Sequence, residues 1–255
     1  MSPSNPILIS VPHSGIRFPE EVRQYYKEHV LKHPEDTDWF IGELYDFAAE
    51  LDIEIYEAPY SRYVIDLNRD PKSASLYKDG RSETSLVPRT NFLGDSILRN
   101  EIPDSEIERR LSEYYWPYYK AVEEKLSLRA QKFGRALLFD AHSIKRSVPT
   151  IRKEKFPDMI LGSADQTSAK KETIDLALSS LRKSSFQVNH NDPFKGGHIT
   201  RYFGGLNDKI EALQLEMSQD LYMDEETTTY LKEKAEKVRA VLIELFKSLK
   251  QELSP

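Results

Sequence analysis

Short strand-like runs, mostly apolar, punctuate the chain at residues 7–11, 136–142, 159–161, 186–190 and 210–217. Each has strand length and little alternation, which predicts strands buried on both faces of a sheet. Two further runs, 53–58 and 62–67, read as strands separated by a Pro-containing turn. Between them the period changes. Ile41, Leu44, Tyr45, Ala48 and Leu51 fall on one helical face behind Asp36-Thr37-Asp38. Ser105 with Glu108 fits a capping box opening a helix to about residue 133, with Ile107, Leu111, Tyr114, Tyr118 and Leu126 as its inner stripe and Pro117 as a kink. Gly134 follows as a C-cap. Helices are expected again at 168–182 and 225–253, the latter with a charged, solvated outer face.

Strands alternating with helices predict an α/β fold, a largely parallel sheet covered on both faces. Residues 70–102 carry many Gly, Pro, Ser and Asn and no period, so they read as a long loop near a site. With no repeat, linker or low-complexity tract, all 255 residues are expected to form one domain.

Composition then narrows the chemistry. A hydrophobic content of 39% builds a substantial core, and a net charge of −6 lacks the basic face that nucleic acid or an anionic membrane requires. No run approaches the roughly 18 apolar residues of a membrane span, and the N-terminus does not have the pattern of a signal peptide, so a cytoplasmic location is expected. The chain has no cysteine. Disulfides, thiolate ligands and cysteine nucleophiles are therefore excluded, and any metal must be held by nitrogen and oxygen.

Two apolar runs end in histidine, at His13 and His142, which places both imidazoles on the carboxyl edge of the sheet where α/β proteins bind ligands. Alone, such a histidine reads as a hydrogen-bonded structural residue. Two in equivalent positions point to a metal, for which a pair of histidines and a carboxylate with one open position is a frequent catalytic zinc set. Asp38 is the favoured carboxylate, with Asp36 close behind and Glu20 third, although Asp before an amphipathic run also suits a helix N-cap. Glu216, following Leu213 and Leu215 in a central strand, reads as a general base raised by burial, or else as half of a structural salt bridge. Arg62, Arg69 and Arg201 suggest an anion pocket, flanked by Lys195, His198 and the Gly196-Gly197 pair. P-loop, dinucleotide-binding, His-Glu-x-x-His and Gly-x-Ser-x-Gly signatures are all missing.

Six separated blocks carry a specific resemblance: Pro12-His13-Ser14-Gly15, Asp36-Thr37-Asp38-Trp39, Tyr60 through Arg69, Asp140-Ala141-His142-Ser143-Ile144, Phe194 through Arg201, and Gln214-Leu215-Glu216. In that order, over roughly residues 7–223, they resemble the N-formylglutamate amidohydrolase family, and Leu161 through Asp165 is similar to a further family block. The resemblance implies hydrolysis of N-formyl-L-glutamate to formate and glutamate, the closing step of one histidine degradation route. It also implies a three-layer sandwich with a mostly parallel mixed sheet, similar to the zinc carboxypeptidases and phosphorylase/hydrolase-like in arrangement. Relatives bind a substrate carboxylate through an Asn-Arg pair, which Asn68-Arg69 matches, and Glu216 corresponds to their general base. The sequence departs from their His-x-x-Glu ligand pair, since residue 16 is Ile.

The expectation is thus a Zn2+ amidase with His13, Asp38 and His142 as ligands, Glu216 as base, and Asn68, Arg69, Arg62 and Arg201 on an acidic N-acyl amino acid. The rivals are a hydrolase of another N-acyl amino acid or small peptide, and a non-catalytic binder of an acidic metabolite. Oligomeric state is not legible in the sequence.

Overall fold

A computed structural model describes residues 3–72 and 84–254. A six-stranded mixed sheet runs through its centre. In chain order the elements are β1 (Ile7–Val11), the short helices α1 (Glu20–Arg23), α2 (Glu28–Lys32) and α3 (Ile41–Leu44), β2 (Glu54–Glu57), α4 (Asp104–Arg110), α5 (Trp116–Phe133), β3 (Ala136–Ile144), β4 (Met159–Gly162), α6 (Lys171–Leu181), β5 (Val188–His190), α7 (His198–Gly204), β6 (Ile210–Ser218), the two-residue pair β7 (Met223–Asp224) and β8 (Thr229–Tyr230), and α8 (Lys232–Leu253). The strand order is β2-β1-β3-β6-β4-β5. The first four are mutually parallel, β4 is antiparallel to β6, and β5 is parallel to β4.

The pleat sends alternate residues to opposite faces, and here the two faces differ in kind. Ile7, Ile9, Val11, Leu137, Phe139, Ala141, Leu213, Leu215 and Met217 face a wholly apolar layer with α3, α6 and α8. Leu8, Ala136, Leu138, Ile210 and Ala212 face α5 and α7, but nearer the carboxyl ends that second face turns polar. Ser10, Asp140 and Gln214 are register partners across β1, β3 and β6, and His142 pairs with Glu216 in the next row. One face of the sheet therefore holds a core over its whole length, while the other holds half a core and half a site.

Several elements differ from the sequence expectation for local reasons. Residues 62–67 form turns, not a strand. Carbonyls of this segment and of Arg69 just beyond it are met by side chains from the α1–α2 connection and the α4–α5 region: the Tyr26 hydroxyl donates to Tyr63 O, Arg110 Nη1 to Val64 O, Tyr119 to Leu67 O and Tyr115 to Arg69 O. Leaving any of these buried carbonyls bare would cost about 1–3 kcal/mol, so the four donors replace the ladder a strand would have had. Between α4 and α5 the chain makes one π-helical turn, Leu111–Tyr115, just before Pro117, whose missing N–H and bulky ring disfavour a regular turn there. The expected kink is this turn. It shifts the helical phase, so Tyr115, Tyr119 and Val122 join Tyr118 and Leu126 in the buried stripe, while Ile107 and Tyr114 are only partly covered.

The capping box does not form: Pro103 occupies the N-cap of α4 without a side-chain bond. The helix expected from the Ile41 to Leu51 pattern is α3 followed by a 3-10 turn, Asp46–Leu51, and Phe40 enters it in the left-handed region. The last helix begins at Lys232 rather than residue 225, since Asp224 Oδ1 accepts from the Glu226 and Thr227 amides and builds a turn in between. Gly134 does cap α5 with φ 82°. Of the long loop, residues 73–83 lie outside the described residues; 84–102 are irregular. Among the described residues no helix is long and apolar enough to cross a membrane.

Candidate metal centre at the sheet edge

His13 lies two residues beyond the end of β1, and His142 lies inside β3, which runs on to Ile144 rather than stopping at the histidine. A backbone bond from Asp38 N to His13 O draws the 36–38 loop across the strand ends. Asp38 then meets both imidazoles: its Oδ2 is 3.0 Å from His142 Nδ1 and 3.8 Å from His13 Nδ1. The rings are 4.9 Å apart, centre to centre, and all three side chains are buried. Asp38 Oδ2 also accepts from Ser143 N, so this carboxylate serves the site and caps no helix.

Asp36, the close alternative, is turned away. Its Oδ2 accepts from Phe92 N, and burial pushes its pKa up to about 6. Glu20 is almost fully exposed on α1.

Each histidine is backed by a carboxylate that motif reading had not assigned. Asp66 Oδ1 lies 2.8 Å from His13 Nε2, and Asp140 Oδ2 lies 2.8 Å from His142 Nε2. Both are fully buried. A signal for Asp140 existed: it precedes His142 by two residues in a strand, hence shares its face. Asp66 had no comparable signal, because the strand expected around it does not exist.

The two imidazoles differ electrostatically. Burial and then the charge of Arg62 hold His13 below its ordinary pKa. Its Nε2–H is directed at Asp66, and its buried Nδ1 has no hydrogen-bond partner. For His142 burial again opposes charge, but Asp140 and Asp38 override it and hold the pKa well above the ordinary value. Three ligand atoms within 4.8 Å of one another, a bare buried Nδ1, and carboxylates fixing both Nε2–H groups suit a divalent metal, which ligating imidazoles bind in this manner. The group can hold a metal ion.

Glu216 stands beside His142 in register on β6, half-buried. Burial pushes it up to about 8; the His142 charge opposes that rise, and Asp38 adds to it. The alternative salt bridge to an arginine is not formed among the described residues.

The arginines are placed unevenly. Arg62 is buried and committed to the site itself, donating to Asp66 Oδ2 at 2.7 Å, lying 3.8 Å from Asp38 Oδ1, and stacking over Phe92 at 4.8 Å. Asn68 is also buried: its Oδ1 accepts from Ile199 N, and its Nδ2 lies 3.2 Å from His142 Nε2 and 3.5 Å from Gln214 Oε1. Arg69 is half-exposed and donates through Nε and Nη2 to Thr84. The Arg201 side chain, on α7, makes one hydrogen bond, Nε to Gly196 O, and no ion pair among the described residues. The expected close approach at Gly196-Gly197 is real, but its partner is protein: a Cβ on Gly197 would lie 2.3 Å from the Asn68 amide. Gln214 Oε1 accepts from Gly197 N and locks the same junction.

This sheet order and buried cluster define an α/β protein with a nitrogen/oxygen site fit for a metal. Residues 5–223 match the N-formylglutamate amidohydrolase family model, and the chain belongs to that family, hydrolases acting on an amide. It is 38% identical to an N-formylglutamate deformylase of Pseudomonas putida and 39% identical to one of Pseudomonas aeruginosa, in each case across 96% of this chain and 92% of the relative. Its fold is similar to a crystal structure of an N-formylglutamate amidohydrolase from Ralstonia eutropha JMP134, with a TM-score of 0.82 at 22% identity, covering 98% of this chain and 94% of that one. A gene product from Agrobacterium tumefaciens has a TM-score of 0.76 at 17% identity, over 98% and 92% of the two chains. The family membership read from six motifs and the mostly parallel mixed sheet are thereby established.

Proposed function

We propose that the chain hydrolyses N-formyl-L-glutamate to formate and L-glutamate, at a metal site formed by His13 Nδ1, Asp38 and His142 Nδ1. The supporting observation is the pairing of that buried ligand set with a carboxylate, Glu216, one strand away on the same face and in no ion pair among the described residues. When bound, a divalent ion such as Zn2+ supplies Lewis acidity, lowering the pKa of a water it holds and polarising the formyl oxygen.

The side chains do the rest. Glu216 takes a proton from the attacking water and delivers it to the departing amine of glutamate. Its burial favours the protonated form, and positive charge at the neighbouring ligands favours the carboxylate, so the group can work in both directions. Arg62 holds Asp38 and Asp66 in place rather than reaching substrate. That leaves Arg69, held by Thr84 and the Asn68 carbonyl, and Arg201 for the two carboxylates of the substrate, with Asn68 setting the floor between His142 and α7.

Formate release from N-formyl-L-glutamate by purified protein tests this reading. It should be abolished by a chelator and restored by zinc. Release that persists after exhaustive chelation removes the metal from the mechanism, and release only from other N-acyl amino acids or small peptides reassigns the substrate.

Metal uptake should also be coupled to protons. Asp140 and Asp38 favour the protonated form of His142 in the metal-free protein, and Nδ1 must be without its proton to ligate. The sign follows: lowering pH favours the protonated, metal-free state, so apparent zinc affinity should fall by about tenfold per pH unit below the pKa of His142. Calorimetry in two buffers of different ionisation enthalpy should show at least one proton released per zinc. Zero release would mean that His142 is already neutral.

A further inference from the structure

Behind His142 a chain of buried groups runs away from the site into the helical layer. Asp140 uses Oδ2 on His142 Nε2 at 2.8 Å and Oδ1 on Ser10 Oγ at 2.7 Å; Ser10 Oγ in turn lies 2.8 Å from the Tyr118 hydroxyl of α5. Tyr118 is 5% exposed, His142 3%, Ser10 and Asp140 not at all, so water does not compete for these bonds.

The proton directions follow from valence. Ser10 has one hydroxyl proton, and the Asp140 carboxylate accepts only, so Ser10 donates to Asp140. Tyr118 must then donate to Ser10. With both outer hydroxyls spent in one direction, Asp140 Oδ2 is left for the Nε2–H of His142. That fixes the imidazole with Nδ1 towards Asp38. Register makes the chain possible: Ser10 on β1 is the direct partner of Asp140 on β3, and Tyr118 projects from the helix laid over that face.

We propose that Ser10 and Tyr118 are positioning residues for the metal site, acting on His142 only through Asp140. His13 is backed differently: its partner Asp66 is held by Arg62 and by the Asn68 amide. The two ligand histidines are thus oriented by separate devices, one from a loop and one from the core. The inference rests on the metal reading above.

Its test is the zinc dissociation constant, measured by competition with a chromogenic chelator for wild type, Ser10→Ala, Tyr118→Phe and the double variant. Loss of the direct outer partner of a ligating histidine weakens binding by roughly 10–100-fold, and Ser10→Ala, one bond further out at Asp140, should lie near the lower end, roughly tenfold. Tyr118→Phe removes one neutral hydrogen bond and should cost roughly two- to tenfold. Because Tyr118 acts through Ser10, the double variant should bind within about twofold of Ser10→Ala. Lowered thermal stability with zinc affinity unchanged in both single variants, or effects that simply multiply in the double, overturns the proposal. Should Ser10→Ala fail to fold, the near-isosteric Tyr118→Phe decides alone, an unchanged zinc constant refuting the chain. Wild-type protein that takes up no zinc refutes the metal reading and this proposal with it, and that result is distinct from an unresponsive variant.

Discussion

Glu216→Gln should lower kcat on N-formyl-L-glutamate by about 10²–10⁴-fold, the usual contribution of a positioned acid–base group, while zinc content stays at the wild-type level. The substitution keeps shape and polarity and removes only the capacity to take a proton. Glu216 lies in register with His142 without hydrogen-bonding to it, so the three ligand side chains keep their places. Steady-state formate release, with metal measured on the same sample, separates the outcomes. A variant with wild-type kcat would take Glu216 out of the mechanism. A variant stripped of zinc would make it a ligand and leave the base unassigned.

Asp38→Ala should abolish activity and weaken zinc binding by more than roughly 100-fold, the upper range for an outer partner alone. Asp38 faces both histidines and also accepts the Ser143 amide, so its loss removes the proposed carboxylate ligand and one of the negative groups facing His142. Asp36→Ala is the matched control. Asp36 holds the Phe92 amide, so its removal should cost about 1 kcal/mol and a few degrees in Tm with metal retained. The reverse pattern, zinc lost with Asp36 and kept without Asp38, would exchange the two assignments.

These two aspartates show where sequence reading reached and where it stopped. Periodicity located every central strand, because buried strands in a mostly parallel sheet are continuous apolar runs and little else in the chain is. It also brought His13, His142 and Glu216 to one edge, since strand ends and the two-residue pleat fix that placement without knowledge of contacts. Asp36 and Asp38 sit in a loop, where no period exists, and bonds distant in sequence, Asp38 N to His13 O and Phe92 N to Asp36 Oδ2, turn one towards the histidines and the other away. The 62–67 segment failed for a related reason. Its β-branched and aromatic residues match a strand, but its carbonyls are taken by tyrosines and an arginine more than 30 residues away in sequence. Arg62 faces two buried aspartates, Asp66 and Asp38, a placement that a guanidinium in a motif does not reveal by itself.

The π-helical turn at Leu111–Tyr115 carries a consequence for how this enzyme tolerates change. In an α-helix each residue advances about 100°, so donors at Arg110, Tyr115 and Tyr119 would not line up without the extra residue the turn accommodates. Geometry here is encoded by chain length as much as by side-chain identity. A conservative replacement within the turn alters one contact. A one-residue deletion would restore a regular helix, swing Tyr115 and Tyr119 away from the loop carbonyls, and release Asp66, Asn68 and Arg69 together. Lineages descended from this chain are therefore free to edit the letters of that turn, but not to count it differently.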